Sequence, residues 1–298
     1  MKGWGAVFSV LDIIGPDVPR IEILDIGAMP EGEYRYAPLL KLGVASITAF
    51  EPLPEERQKA MAAVEAMRCL PYALGDGTTA DFHITSYRGC SSLLEPDPVI
   101  INQFGGMGTD PGTCNFGTVS TMKMKTHRLD DLDEVGAADY LKIDVQGAEL
   151  LVLENGRRSL QSVHVAEIEV EFVPLYKNQP LFSEIELFMR GNGLIFHKFV
   201  DFAGRTIRPI ELEQQEAVIS QVLWADAIFV RNYTFIEQWT NNQLIKAAVI
   251  LHEVYLSYDL VIKLLLELDR RNDTGWGEAY YGALCQNKMD RMVNTWKK

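Results

Sequence analysis

The chain has 298 residues, 47% of them hydrophobic, which is the composition of an ordinary globular protein with ample material for a core. Its 41 acidic and 28 basic residues give a net charge of −13 without a Lys/Arg-rich stripe, which argues against a nucleic-acid partner and favours a small or neutral molecule. No apolar run approaches the roughly 20 residues of a membrane helix, and no small-residue cleavage site follows the N-terminal segment, so we expect neither a membrane span nor a signal peptide. The four cysteines are scattered without a Cys-x-x-Cys pair, which argues against a zinc site or a disulfide scaffold and predicts a cytoplasmic location.

Short apolar runs alternate with helix-like segments from Arg20 to about Phe199. Strands and helices that alternate in this way predict a parallel, doubly wound α/β sheet. The predicted strands are Ile21–Ile26, Ser46–Phe50, Leu70–Leu74, Tyr140–Val145 and Val163–Val170, with Asp81–Thr85 as an extra strand. The predicted helices are Pro54–Met67, rich in Ala, Glu and Met, and Ala148–Leu160.

The segment Glu95–Ser120 interrupts this alternation, with three prolines, five glycines and no apolar period. A loop of this length inside a domain is usually functional or disordered. Two interpretations stay open, a lid that faces the substrate or a plain surface excursion.

The C-terminal part changes from strands to helices. The segments Ile195–Val200 and Val222–Val230 are predicted strands, and from Asn241 the apolar residues recur at i, i+3/i+4 and i+7. This period predicts one long helix over Asn241–Arg270, followed by a less regular helix to Lys298. Its apolar stripe has to be buried, either in a helical hairpin or in a homodimer formed through the C-terminal helices, and we favour the dimer.

Acidic and small residues stand where the predicted strands end. In doubly wound sheets the ligand lies at the carboxyl ends of the strands. A carboxylate at the end of the second strand can accept hydrogen bonds from both hydroxyls of a ribose, and Glu51 holds that position. The strand-end residues are Asp25, Gly27, Ala28, Glu51, Asp76 and Asp144.

The loop after the first strand limits the choice of cofactor. It reads DIGAMPEGEY and lacks the Gly-x-Gly-x-x-Gly turn that cradles a pyrophosphate. This favours a nucleoside cofactor without phosphates, of which S-adenosylmethionine is the common example, over the nucleotide cofactor of an oxidoreductase.

Charged residues also alternate within two strands that should be buried. Lys142 and Asp144 share one face of their strand, and they are either part of a site or a buried ion pair. The acids Glu167, Glu169 and Glu171 share a face as well, and because three buried acids are costly, at least one should reach a polar pocket. The five histidines form no metal-ligand cluster, and we predict no metal site.

The segment LKIDVQGAELLVLENG, preceded by HRLDDL and followed by HVAEIEVEFVPLYKNQPLFSEI, resembles the FkbM-type S-adenosylmethionine-dependent methyltransferases. Further matching pieces are DIGA, TAFEPLPEE, PYALGDG, GCSSLLEP and LWADAIFVR, so the resemblance covers Ile21 to Arg231. It implies a class I methyltransferase (Rossmann-like) fold, a doubly wound seven-stranded sheet whose last strand, Val222–Val230, is antiparallel. The implied domains are a lead-in over residues 1–19, an S-adenosylmethionine-binding methyltransferase domain over 20–232 and a helical extension over 233–298.

The resemblance also implies roles for individual residues. Residues Asp25 to Ala28 would lie along the methionine portion of the cofactor, Glu51 with Pro52 at the ribose hydroxyls, and Asp76 near the adenine amine. Asp144 would face the methyl-transfer centre, with Ser91 and Ser92 at the border of the same pocket. Many family members have Asn where this chain has Met29, and because Pro30 disfavours helical geometry at Met29, we expect the first helix of the domain to begin near Tyr36.

These observations predict transfer of a methyl group to a small acceptor, most simply the hydroxyl of a sugar or a polyketide-like natural product. Asp144 and Lys142 are the predicted catalytic residues, and Glu169 and His127 are further candidates for the general base. Glu149 is interpreted as an acid in the first turn of a helix, favoured by the helix dipole. The alternatives are a nucleotide-cofactor oxidoreductase and a non-catalytic binding or assembly module that kept the fold.

Overall fold

A computed structural model describes residues 8–30, 32–64, 67–214 and 218–287, and these form two units. One unit contains the residues up to Ile21, the segment Glu33–Ser46 and the chain from Asn232 onward; the other contains Glu22–Gly32 and Ile47–Arg231. The predicted boundaries at residues 19/20 and 232/233 stay a prediction, and the structure additionally groups Glu33–Ser46 with the terminal segments.

The strands form a large sheet and a small one. The large sheet has seven strands in the order β3-β2-β1-β7-β8-β10-β9, and the small one has the order β4-β6-β5. Their bounds are β1 Ile21–Ile26, β2 Ala45–Phe50, β3 Met67–Leu70, β4 Ala73–Leu74, β5 Thr79–Thr85, β6 Thr118–His127, β7 Tyr140–Ile143, β8 Val165–Glu171, β9 Leu194–Gly204 and β10 Val222–Arg231. In the large sheet β7 is parallel to β1 and β8, whereas β10 is antiparallel to both of its neighbours. The predicted sheet with an antiparallel last strand is confirmed.

The small sheet is the part of the strand pattern that the sequence analysis misses. The predicted strand Leu70–Leu74 is wrong, because Leu70 ends β3 and Ala73 begins β4 in the other sheet. Pro71 lies between them, and proline has no N–H to donate to a ladder. Strand β6 is mostly exposed along its length, and apart from Met122 and Met124 its sequence TVSTMKMKTH carries no apolar alternation.

The helices are α1 Leu11–Ile14, α2 Ala37–Lys41, α3 Pro54–Ala63, α4 Pro98–Ile101, α5 Glu149–Glu154, α6 Phe182–Gly191, α7 Asn241–Glu253, α8 Tyr258–Asn272 and α9 Trp276–Gln286. Two predicted helices are too long: the first ends at Ala63 because Met67 already begins β3, and the second ends at Glu154, just before Asn155 and Gly156. Helix α2 begins directly after Tyr36, as predicted.

The predicted single helix over Asn241–Arg270 is wrong. The chain leaves α7 after Glu253, passes through Leu256 in a left-handed conformation (φ 53°) and begins α8 at Tyr258. Helix α8 packs against both α7 and α9, so the apolar stripe is buried within its own unit: Leu251, Tyr255, Leu265 and Leu268 are at most 4% exposed. The stripe therefore does not require a second subunit, and the homodimer stays a prediction.

A buried histidine ties three segments of this unit together. His252 is 0% exposed; its Nε2 lies 2.7 Å from the carbonyl oxygen of Phe8 and its Nδ1 lies 2.7 Å from the hydroxyl of Tyr280. A neutral ring satisfies both contacts if Nε2–H donates to Phe8 and the tyrosine hydroxyl donates to Nδ1. Burial lowers the pKa of His252, against the opposing effects of Phe8 and Glu253.

Among the described residues, no helix combines the length and the apolarity that crossing a bilayer requires.

Candidate active site

The carboxyl ends of β1, β2 and β7 approach one another closely, and Gly27 permits this approach. Its N–H donates to the carbonyl of Phe50 at 3.0 Å, while the N–H of Asp144 donates to the carbonyl of Ile26 at 2.9 Å. A Cβ added to Gly27 would lie 1.8 Å from the carbonyl oxygen of Asp144, and the φ of Gly27 is +83°. Only glycine fits both the space and the backbone conformation, so this residue fixes the distance between the two loops.

A cleft of about 750 Å³ opens above these strand ends. It joins five of the residues predicted for the cofactor site, namely Gly27, Glu51, Pro52, Ser91 and Asp144. The rest of its lining is largely apolar and includes Phe50, Leu53, Tyr72, Leu74, Phe82 and Leu93. A cleft with an apolar wall and few polar groups is typical of a site for a small organic molecule.

Glu51 is the acid at the end of β2, and it is 7% exposed. Its Oε1 accepts a hydrogen bond of 2.7 Å from the N–H of Leu53, which holds the carboxyl group toward the cleft. Burial raises the pKa of Glu51 to about 7, an effect that the Leu53 hydrogen bond only partly offsets. Near neutral pH the ionised and neutral forms are therefore both populated.

Lys142 lies between two carboxylates in the layer beneath the cleft. Its Nζ is 3.5 Å from Oδ2 of Asp144 and 3.8 Å from Oδ1 of Asp25, and the strand register places it directly opposite Asp25 and Glu167. Burial alone would lower the pKa of Lys142, but the charges of Asp25 and Asp144 outweigh it and raise the pKa. Lys142 is thus a protonated partner of both acids. Neither Lys142 nor Asp25, which is 0% exposed, lines the cleft.

Three other predicted residues do not line the cleft. Ala28 is 0% exposed. The Ser92 hydroxyl donates to the carbonyl of Gln146 at 2.7 Å and accepts from the N–H of Leu94 at 2.9 Å. Asp76 is exposed, and its carboxylate accepts from both the hydroxyl and the N–H of Thr78, which lowers its pKa. Local hydrogen bonds thus account for the conformations of Ser92 and Asp76, and the predicted cofactor contacts of all three residues stay predictions.

A second pocket of about 570 Å³ adjoins the cleft and shares Gly89, Asp144 and Gln146 with it. We call it the acceptor pocket. Glu169 and Glu171 of β8 line it, which confirms that the row of acids on this strand reaches a polar pocket. Asn115 and Phe116 come from the segment Glu95–Ser120. Ile101 and Phe104 of the same segment pack with Tyr176 in a buried cluster. The remaining lining includes Tyr87, Cys90, Leu175, Arg205 and Trp224.

Gln146 joins the acids at the boundary of the two pockets. Its side-chain Nε2 lies 2.9 Å from Oδ1 of Asp144 and 2.7 Å from Oε2 of Glu169. The backbone of Gln146 is left-handed (φ 58°), which turns the chain back toward the strand end. No role is predicted for Gln146 from the sequence. The signal that could have identified it as a site residue is the Gln-Gly pair directly after a strand.

Glu149 lies in the first turn of α5, as predicted, and it is also buried among other acids. It is 1% exposed, and its Oε1 accepts from the N–H groups of Val145 (2.8 Å) and Gly147 (3.1 Å). Burial raises the pKa of Glu149 to about 7, and burial together with the charge of Asp144 raises the pKa of Glu169 well above its ordinary value. The acid that was interpreted as a helix-dipole residue therefore belongs to the buried carboxylate group.

The cleft can be tested against a nucleoside cofactor. The N–H groups of both Gly27 and Ala28 donate to the carbonyl of Phe50, so this loop does not present them to a pyrophosphate. Glu51 offers a carboxylate to a ribose, and Asp144 offers a negative charge to a cationic centre. These acceptors suit S-adenosylmethionine, which Glu51 would hold at the sugar and Asp144 near the sulfonium.

The sheet and the cleft define a class I S-adenosylmethionine-dependent methyltransferase. The family model described as "Methyltransferase FkbM domain" matches residues 25–196, more than half of the chain, and the protein belongs to this family. S-adenosylmethionine is its cofactor. No curated protein matches the chain.

Several solved methyltransferase structures are similar in outline. A TehB-like SAM-dependent methyltransferase from Corynebacterium glutamicum is 13% identical, with 76% of this chain and 88% of that chain covered and a TM-score of 0.34. The magnesium protoporphyrin IX methyltransferase of Synechocystis, solved with bound SAM, is 11% identical over 74% of this chain and 76% of that chain, with a TM-score of 0.35. TrmK of M. capricolum, in complex with S-adenosyl-homocysteine, is 11% identical over 91% and 95%, with a TM-score of 0.34.

Proposed function

We propose that the protein methylates a hydroxyl group of a small polar molecule, such as a sugar or a natural product, bound in the acceptor pocket. The observation that carries this proposal is the pocket itself, which adjoins the cofactor cleft and shares Asp144 and Gln146 with it. Two molecules held on either side of these residues would be aligned for direct transfer, and alignment is the main requirement of such a displacement.

When bound, S-adenosylmethionine supplies a methyl group on a positively charged sulfur, which leaves as a neutral thioether. A hydroxyl acceptor has to lose its proton as the new O–C bond forms, so a base must stand within hydrogen-bond distance of the acceptor oxygen. Asp144 and Glu169 both line the acceptor pocket and can take this proton.

The contacts and positions of the four candidates for this base favour two of them. Lys142 is a poor base because two carboxylates hold its ammonium group. His127 lies at the end of β6 with its ring 4.7 Å from that of Tyr72, and it lines neither pocket. Asp144 and Glu169 remain, and the raised pKa of Glu169 makes its carboxylate the stronger base.

The same proposal includes a small-molecule acceptor as the partner and the cytoplasm as the location of the protein. The net charge of −13 supports a small-molecule acceptor over a nucleic acid, and the scattered cysteines support a cytoplasmic, non-membrane protein. A homodimer through the C-terminal helices has weaker support, since their apolar stripe is buried within one chain. Light scattering at micromolar concentration distinguishes a 33.5 kDa monomer from a dimer of twice that mass.

The test of the proposed function is product analysis with methyl-labelled S-adenosylmethionine and a panel of glycosides and polyketide alcohols. The expected product carries the label as a methyl ether, identified by NMR, and its formation slows in the Glu169→Gln variant. Label on nitrogen or carbon would contradict the O-methyl assignment. Cofactor binding without transfer to any acceptor class, nucleic acid included, would favour the non-catalytic module.

A further inference from the structure

Three carboxylates converge where the cofactor cleft meets the acceptor pocket. Asp144, Glu149 and Glu169 each place an oxygen atom within 4.8 Å of the others. Two oxygens on opposite sides of one ion are about 4.2 Å apart around Mg²⁺ and about 4.8 Å apart around Ca²⁺, from the usual ion–oxygen distances. The three oxygens are therefore already spaced as ligands of a single cation.

One buried oxygen atom of this group lacks a donor. Among the described residues, Oε2 of Glu149 has no hydrogen-bond partner, although the residue is only 1% exposed. Glu171 stands outside the group of three, lines the acceptor pocket together with Glu169, and has the side chain of Gln179 as a hydrogen-bond donor. Since a buried carboxylate oxygen without a donor or a cation is costly, Oε2 of Glu149 points to a positive charge at this place.

The hydrogen bonds of Tyr176 give an independent argument. Its hydroxyl lies 2.9 Å from the carbonyl of Cys90 and 3.1 Å from Oε1 of Gln146, yet a hydroxyl has one hydrogen to donate. If that hydrogen goes to Cys90, the tyrosine oxygen must accept from the Gln146 amide nitrogen, and the amide turns by 180°. Its carbonyl oxygen would then face Asp144 and Glu169, and three oxygens in contact require a cation, or a proton on one of the carboxyl groups, between them.

We propose that Asp144, Glu149 and Glu169 bind one divalent cation of the Mg²⁺, Mn²⁺ or Ca²⁺ class, with the Gln146 side-chain carbonyl as a neighbouring oxygen ligand. Carboxylate and amide oxygens are hard ligands, which these cations prefer, and the candidate group within the described part of the chain contains neither histidine nor cysteine. Lys142 does not supply this charge, because it is near Asp144 on the side of Asp25. This proposal departs from the prediction from sequence that the protein has no metal site.

The position of the site suggests a catalytic role for the ion, and this role rests on the proposed function. Asp144 and Glu169 line the acceptor pocket, so coordination positions left open by the protein face a bound acceptor. A hydroxyl oxygen bound there would be oriented and made more acidic by the ion. With the ion on Asp144 and Glu169, these two carboxylates no longer serve as the base proposed above, and Glu171 replaces them as the carboxylate in the pocket that receives the proton.

The test measures metal binding without cofactor or acceptor. Chelator-treated protein is titrated with Mn²⁺, free Mn²⁺ is followed by its EPR signal, and Mg²⁺ and Ca²⁺ are then added as competitors. We expect one saturable site per chain, at least 10-fold weaker in Glu169→Gln and Glu149→Gln. Glu167→Gln is the matched control, because it makes the same change at a buried acid of the same strand that lies outside the proposed site. Oε2 of Glu167 accepts a hydrogen bond of 3.2 Å from the hydroxyl of Tyr140.

Two further readouts keep the result independent of folding defects and of methyl transfer. Without metal, Glu169→Gln should melt at or above the temperature of the wild type, because it removes repulsion among buried acids, and only the wild type and Glu167→Gln should gain stability from Mn²⁺. Absence of saturable Mn²⁺ binding to the wild type, or equal binding by Glu169→Gln, would overturn the metal site. In that event methyl transfer in excess chelator would still support the proposed function.

Discussion

Glu51→Gln is the substitution that tests the cofactor site most directly. It keeps the shape of the side chain and an oxygen that can accept from the N–H of Leu53, but it removes the titratable carboxylate. If this carboxylate accepts from the ribose hydroxyls, only its ionised form binds the cofactor well. The pH dependence of cofactor affinity then reports the ionisation of Glu51.

The magnitude follows from the pKa of about 7 that burial gives this residue. Below that pH the ionised fraction falls tenfold per unit, so at pH 5.5 the affinity of the wild type should be weaker by about 30-fold, or roughly 2 kcal/mol, than at pH 8.5. Hydrogen bonds to a charged group contribute about 1.5–3 kcal/mol each, so the variant should bind at least about 10-fold more weakly at pH 8.5.

Stability should depend on pH in the opposite sense. The folded state holds a proton on Glu51 up to about pH 7, whereas the unfolded chain loses it near the ordinary value of 4.5. Between these values the folded state binds more protons, so the contribution of Glu51 to the free energy of unfolding falls by up to about 3 kcal/mol as pH rises. The variant lacks this contribution.

The assay is calorimetric titration with S-adenosylmethionine at four pH values between 5.5 and 8.5, with urea unfolding of both proteins at the same pH values. The reasoning requires a wild-type affinity that rises with pH and a variant affinity that is flat. A variant that keeps the slope of the wild type, or one that binds as tightly at pH 8.5, would refute the assignment of Glu51 to the ribose.

Three further predictions concern other positions. Asp144→Asn should lower the rate of methyl transfer by about 100-fold or more. Its melting temperature should change little, because Lys142 keeps its contact with Asp25. A large drop in melting temperature with little change in rate would make Asp144 a structural ion-pair partner only. Gly27→Ala should cost about 2–5 kcal/mol in urea unfolding, from the left-handed φ and the 1.8 Å overlap with the Asp144 carbonyl, and a cost below about 1 kcal/mol would contradict the close approach. The pKa of folded His252 is lowered, so the unfolded chain takes up the proton first and the contribution of His252 to the free energy of unfolding should fall as pH drops below the ordinary value of 6.5, opposite in sign to that of Glu51; the stability difference between the wild type and His252→Gln should therefore shrink on acidification, and a difference that does not change with pH would contradict the buried neutral ring.

The parts of the site that follow from sequence are those fixed by the topology of the sheet. Parallel strands bring their carboxyl ends to one edge, so Glu51 and Asp144 meet across a single cleft although they are far apart in the chain. The alternation of acids along β8 likewise predicts a polar pocket, because side chains two residues apart share a face.

The direction of a side chain in a turn does not follow from sequence in this way. Asp76 and Ser92 stand at the expected positions, but each has a backbone or hydroxyl partner within two residues that holds its oxygen elsewhere. The break between α7 and α8 is hidden for a related reason. Leucine adopts the left-handed conformation rarely, so nothing about Leu256 marks the end of a helical pattern that continues on both sides.

The wall that Asp144 and Gln146 share has a consequence for the order of events during turnover. Because the same side chains border both pockets, a molecule that changes their charge or orientation from one side changes the affinity on the other side. This coupling is reciprocal: whatever factor the acceptor gains from a bound cofactor, the cofactor gains from a bound acceptor. The gain is lost when the cationic sulfonium beside Asp144 becomes a neutral thioether, so we expect the enzyme to hold its two substrates together more tightly than its two products.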